Sequence, residues 1–292
     1  MKKATTIEQQ IEILRSRGVV IADEVKAKEI LLDIGYYRLG FYFFPFELAY
    51  PNLENRDHTV KANTKFASAV NLYYFDFDLR NLLLRYTARI EVAFRTFLTY
   101  YISNKYANSP TWFVDTRIVE PNYLLEFNSK VYTEEFKKTP VIKRHHDKYI
   151  NDRYAPAWKT IEMMSFGAVF KLYKALKNRD DKLLIAQHFG IKSISVFENY
   201  MNTIVYVRNK CAHGNAIFDM SLYFGISSAA IGNIPMGQES SIVTAIRVIS
   251  FILGSISMNR KQEMNENLQK IVHDAIEKDS DIAPFIQKFE KK

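Results

Sequence analysis

One cysteine, two tryptophans, eight prolines and ten glycines in 292 residues deny several architectures their raw material. Cys211 alone cannot build a disulfide framework within the chain or a cysteine zinc cluster. A lone thiol fits a reducing compartment. Collagen and coiled-coil classes fail on composition. There is no HExxH pair, no glycine-rich phosphate loop and no GxSxG elbow. No apolar run is long enough to span a bilayer. The best candidate, Ile242 to Met258, is short and carries Arg247 near its centre. The charged, amphipathic opening of the sequence does not read as a signal peptide. These absences lead us to expect a soluble, cytoplasmic protein with no membrane contact.

What is present is ordinary in bulk and unusual in detail. The chain is 48% hydrophobic and 25% charged, enough for a sizeable core. Its 21 Phe and 18 Tyr exclude disorder as the main state. Length alone suggests about two domains, or one large one. With 40 Lys and Arg against 32 Asp and Glu, the formal charge is +8. A basic surface either aids solubility or meets an acidic partner, with nucleic acid first among partners. The excess is concentrated: residues 130–182 hold 13 Lys and Arg against 7 Asp and Glu. Lys143, Arg144 and Lys148 are the candidate RNA-backbone contacts there; the alternative is a solvated face.

Periodicity points to helices throughout. Thr5 or Thr6 is placed to cap a first helix ending at Gly18, and Asp23 to cap a second ending at Gly35. Residues 36–46 are strongly aromatic, and Pro45 with Gly40 argues against one long helix there. Such a cluster reads as core or interface before it reads as a base-stacking platform. Residues 51–66 read as a loop. From about Ala67 to Asn104, apolar residues recur at steps of three and four, the strongest periodic signal in the chain. Glu91 and Arg95 stand four apart and are expected to pair on its polar face. Shorter helices follow between prolines, residues 226–240 read as a loop, and residues 242–256 form another apolar stripe. No convincing alternating strand and no repeat of 20–50 residues is visible. The fold class expected is all-α, a multi-helix bundle with an N-terminal helical extension.

Chemistry is sparse. His145-His146-Asp147 gives no metal site, because adjacent residues point apart on a helix; a basic surface helix is expected instead. No metal constellation and no cofactor motif is found. The notable run is Arg208-Asn-Lys-Cys-Ala-His213. Arg grips phosphate and stabilises charge on its oxygens. His moves protons near neutral pH, at a ribose 2′-OH or a leaving 5′-oxygen. Asn209 could orient either partner. A bare Arg with His five to seven residues on is expected about once by chance in this composition. Fixing the spacing and adding Asn beside Arg lowers that to about 0.02. Positions five apart are turned about 140° on an ideal helix. Arg208 and His213 therefore need either a loosened last turn at Gly214 or the other subunit's copy to act together. The bland alternative is a helix-end His at the negative end of the dipole, with Arg208 in a structural salt bridge.

Four stretches, taken in order, carry a resemblance: Ile7 to Gly18; Ile34-Gly-Tyr-Tyr-Arg-Leu-Gly-Phe-Tyr42; Phe75-Asp-Phe-Asp-Leu-Arg80 through Ile90-Glu-Val-Ala-Phe-Arg95; and Arg208 to His213. Over roughly residues 7–220 the chain resembles the Abi family of bacterial abortive-infection proteins, the AbiD/AbiF-like group. That family looks like a member of the HEPN superfamily of helical domains. In active members an Arg-x4–6-His motif is a metal-independent ribonuclease centre, usually paired across a dimer. The resemblance implies an RNA-binding antiphage protein and a homodimer, with Arg208, Asn209 and His213 catalytic and no metal or cofactor. The domain organisation expected is an N-terminal helical extension with the aromatic cluster over residues 1–60 and a HEPN-like helical domain over 61–292, of which the last 70 residues share the resemblance less distinctly. Some relatives associate with a structured noncoding RNA, which makes such an RNA an expected partner. The alternative is a non-catalytic RNA-binding scaffold in which the motif only positions phosphate.

Overall fold

The computed structural model describes residues 3–54 and 56–290. Its helices, in chain order, begin with α1 (Ile7–Ser16), α2 (Glu24–Asp33), α3 (Tyr36–Phe43) and the long α4 (Phe66–Lys105). Then come α5 (Pro121–Lys130), α6 (Glu134–Lys137), α7 (Pro140–Lys148), α8 (Ala157–Met163), α9 (Phe166–Ala175) and α10 (Arg179–His188). The last four are α11 (Ile194–Ala212), α12 (Ile242–Ile256), α13 (Met258–Lys278) and α14 (Ala283–Ile286). The described residues contain no strand, only isolated bridges such as Glu47 with Val60. The protein is all-α, as its periodicity requires.

The helices start where side chains can satisfy free amides. At α1, the Thr6 hydroxyl accepts from the Gln9 amide at 3.3 Å, and Gln9 Oε1 accepts from the Thr6 amide at 3.0 Å. This is a reciprocal capping box. Asp23 accepts from the Lys26 amide at 2.9 Å to open α2. The aromatic run divides: α3 is followed by a 3-10 turn at Phe44–Phe46. Leu39, Tyr42, Phe43 and Phe46 are buried, while Tyr37 and Phe41 stay exposed.

Two compact units emerge. One comprises residues up to Leu82 with Lys210–Ser221 and Met264 onward; the other comprises Leu83–Asn209 and Leu222–Glu263. Helices α4, α11 and α13 contribute residues to both. In the second unit, Phe94 is fully buried at the centre of five rings: Phe166, Phe170, Tyr173, Phe189 and Phe197. Its centroid separations lie between 5.9 and 6.4 Å, the range of attractive tilted and edge contacts. Arg247, the residue that argued against a membrane span, bonds from α12 to the carbonyls of Ile231 and Asn233 at 2.7 and 2.9 Å. It thereby fixes part of the 226–240 loop. No helix among the described residues is long and apolar enough to cross a membrane.

The first unit is organised by a buried ion pair. Asp76 on α4 is wholly buried, and Arg80, one turn later, is 5% exposed. They pair directly. Asp76 Oδ2 also accepts from the Tyr42 hydroxyl of α3 at 2.8 Å. Its Oδ1 accepts from the backbone amides of Ile217 and Phe218 at 2.9 and 2.6 Å. Arg80 in turn donates to Tyr42 Oη at 3.0 Å and to the Asn215 carbonyl at 3.3 Å. Burial pushes the Asp76 carboxyl up, and Arg80, Tyr42 and the two amides oppose that shift. Cys211 lies within reach of the same charges. Burial, reinforced by Asp76, pushes its thiol up to about 12.

Asp76→Ala leaves Arg80 uncompensated and two buried amides without an acceptor, so it should cost about 3–5 kcal/mol in urea unfolding. In the native protein, Cys211 should resist thiol reagents at pH 8, because almost none of it is thiolate. Asp76→Ala should speed that labelling as the shell around Cys211 opens. Rapid labelling of the wild-type chain would contradict the buried network.

Candidate functional site

The notable run sits at the end of α11. Phe197, Tyr200, Met201, Ile204, Val207 and Cys211 are buried at helical spacing and define the inner face of the helix. Arg208 and Asn209 therefore turn away from the core. The Arg208 side chain is 36% exposed, and Asn209 is exposed. Arg208 Nε stands 3.5 Å from Glu91 Oε2, and Nη1 donates to Asn209 Oδ1 at 3.3 Å. Both contacts are long. Three of the five guanidinium N–H groups have no partner among the described residues.

Glu91 makes its shorter bond to Arg95 Nη2, at 2.8 Å, and the same nitrogen donates to the Met164 carbonyl at 2.9 Å. The Glu91–Arg95 pair forms as its spacing predicts, but not on a polar face. Its side chains are 13% and 12% exposed, because the turn between α8 and α9 covers them. Glu91 thus becomes a carboxylate between two arginines. The structural salt bridge weighed for Arg208 is present, in a weak, part-exposed form worth little by itself.

His213 directly follows the last residue of α11 and is exposed. The helix end is held firmly rather than loosened. Gly214 has φ +66°, a left-handed conformation that a Cβ would strain. Its amide bonds the Cys211 carbonyl, and the Asn215 amide bonds the Lys210 carbonyl, both at 3.1 Å. That pair of bonds is a Schellman closure with His213 at the C-cap. Arg38 of α3 donates to the Gly214 carbonyl at 2.8 Å. The His213 ring itself has no hydrogen-bond or ion-pair partner among the described residues. Arg208 and Asn209 fall in one unit and His213 in the other, on one continuous helix and its cap.

The proposed backbone contacts lie on α7. Lys143 pairs with Asp147 at 2.7 Å, with both side chains well exposed. Arg144 Nε bonds the Pro140 carbonyl of its own helix at 3.1 Å. Lys148 lies 5.3 Å from the neighbouring Tyr149 ring and makes no ion pair among the described residues. The expectation of a wholly surface helix is corrected at His145, which is buried. The same basic segment supplies most of a second cluster. Lys177, Arg179, Lys182 and Lys192 line one cleft beside the start of α11. Arg179 and Lys192 have no hydrogen-bond or ion-pair partner among the described residues. The charge excess over residues 130–182 includes Lys177, Arg179 and Lys182, whereas Lys192 joins them only through the fold.

Three of the stretches that carry the family resemblance thus supply the structural supports of this helix end. Arg38 comes from the second, Asp76, Arg80 and Glu91 from the third, and Cys211 and His213 from the fourth. No curated protein and no solved structure matches the chain. The family of Abi-like proteins matches it over residues 29–219, a span that includes every one of those supports. The chain belongs to the Abi-like protein family, and that membership supports a role in abortive infection.

Proposed function

We propose that this protein is an RNA-binding, HEPN-type endoribonuclease of the AbiD/AbiF-like group, acting in antiphage defence as a homodimer. In this reading a HEPN-like helical domain covers residues 61–292 after an N-terminal extension. One observation carries the proposal. An exposed histidine with no partner among the described residues sits at a capped helix end, five residues after an arginine most of whose donors find no partner among those residues.

The chemistry assigned to these groups is a transesterification. His213 takes the proton from a ribose 2′-OH, and the 2′-oxygen attacks the adjacent phosphorus. Arg208 stabilises the charge that grows on the non-bridging oxygens. Asn209, in contact with Arg208, orients the guanidinium. The P–O5′ bond breaks, and the leaving 5′-oxygen takes a proton from the His213 of the second copy. The products are a 2′,3′-cyclic phosphate and a 5′-hydroxyl. A two-fold dimer would supply the two motifs that this scheme needs. A structured noncoding RNA is the partner class that the resemblance favours.

The Arg208–Glu91 pair supports a second reading, a non-catalytic RNA scaffold in which Arg208 is structural. Two variants separate the readings. Arg208→Ala and His213→Ala should each abolish RNA cleavage and cellular toxicity, with helical content and RNA affinity retained. Cleavage should persist in EDTA, and a 2′-deoxy at the scissile position should block it. Full toxicity in both alanine variants would leave only the scaffold.

RNA binding should weaken steeply with salt, by about 0.7 in log–log slope for each single-strand phosphate contact. Reversing Lys143, Arg144 and Lys148 together should flatten that slope and weaken binding across unrelated sequences. Lys148 should dominate, because Lys143 already has Asp147. Light scattering should report a dimer. A monomer at micromolar concentration, with and without RNA, would contradict the paired-motif scheme.

A further inference from the structure

A cleft of about 560 Å³ opens between the end of α7 and the first turn of α8. Its lining combines features that surfaces normally keep apart. Trp158 is 55% exposed and Tyr149 46% exposed. Exposed rings of that size need a reason when they flank a cavity. Arg153, Lys159 and Asn151 line the same cleft. None of the three side chains has a hydrogen-bond or ion-pair partner among the described residues. The only carboxylate in the lining, Asp152, already accepts from His145 Nε2 at 3.0 Å.

His145 adds a second observation. It is 5% exposed and lines the cleft, yet its Nδ1 is buried with no partner. With Nε2–H directed at Asp152, Nδ1 is a bare acceptor. Nδ1 is closed off from solvent, so His145 serves the cleft only by occupying the Asp152 carboxylate through Nε2. The cleft therefore offers exposed aromatic faces, two cations with no acidic partner among the described residues and a free amide.

A planar ring carrying an anion meets all of these needs. The cations require a negative group, and Arg153 with Lys159 suits phosphate. Trp158 offers a stacking face that tolerates any base. An acidic peptide would match the cations but leave the aromatic faces unused. We propose that this cleft binds one nucleoside phosphate unit, its base against Trp158 and its phosphate between Arg153 and Lys159. The unit is either one residue of an RNA or a free nucleotide. The RNA source rests on the function proposed above; the free-nucleotide source does not.

Tryptophan fluorescence of the full chain tests this directly. Trp112, the other tryptophan, is fully buried with its indole bonded to Ser103 at 3.0 Å, so any stacking signal belongs to Trp158. The probes are AMP, ribose 5-phosphate and a 2′-O-methyl adenosine decamer, which 2′-OH attack cannot cleave. Saturable quenching by AMP, the decamer or both is expected, and the pattern identifies the source. Arg153→Ala with Lys159→Ala should weaken that binding about tenfold. Calorimetry on Trp158→Phe should retain most of the affinity, since a ring remains. Arg208→Ala and His213→Ala should leave the quenching unchanged, so loss of ribonuclease activity cannot be confused with loss of this site. Absence of quenching by both nucleotide probes at millimolar AMP would overturn the proposal. So would displacement of AMP by an equal concentration of ribose 5-phosphate, which has no base to stack.

Discussion

The Asp76 carboxylate is the constraint around which the first unit is built. Removing a charge from water is expensive, and a buried carboxylate persists only when its lone pairs are matched. Asp76 is matched on both oxygens: Arg80 and Tyr42 on one, the Ile217 and Phe218 amides on the other. These partners come from α3, from α4 and from the segment beyond α11. None can move without leaving another unsatisfied. A fully connected polar network of this kind contributes less to net stability than to uniqueness, because any alternative packing strands a charge.

That uniqueness reaches the candidate site through the backbone. Asn215 gives its carbonyl to Arg80 and its amide to the Schellman closure, while the Gly214 carbonyl is taken by Arg38. The chain on the far side of His213 is thus held by two arginines and a helix cap. The histidine ring, by contrast, is left exposed. The backbone of His213 is thus fixed, whereas its ring is free to take a partner at either nitrogen.

Much of this fold was legible in the sequence. Apolar spacing puts the long helix at about Ala67 to Asn104, and it runs Phe66–Lys105, because forty residues of consistent periodicity outweigh any local ambiguity. Thr6 and Asp23 act as the caps their side chains advertise. The site was legible only as a string. Asp76 and Asp78 lie two apart in one motif, and nothing in their spacing says that the first is the buried hub while the second is exposed. Arg38 reaches a backbone carbonyl 176 residues away, and carbonyls carry no side-chain signature. The Lys143–Asp147 pair was readable from its i, i+4 spacing and reduces the free charge of α7. Glu91 was matched with Arg95 by spacing, but its second arginine, 117 positions on, required the packed helices.

The distribution of charge shows how binding and chemistry could be divided. The second unit has 23 Lys and Arg against 14 Asp and Glu, whereas the first has 17 against 18. The formal excess therefore belongs entirely to the second unit. Several of its cations, including Arg153, Lys159, Arg179 and Lys192, have no acidic partner among the described residues. Both units pair charges internally, the first through Lys65 with Asp281, Lys288 with Asp219, Arg56 with Glu47 and Arg80 with Asp76, but only the second carries a net excess of cations. A polyanion gains most from counter-ion release where cations are unneutralised, so its affinity should be set by the second unit. His213 belongs to the first, where Arg38, Arg80 and the helix cap hold the backbone that follows it. Affinity and proton transfer would then depend on different parts of the chain, and α11 is the element that carries residues of both.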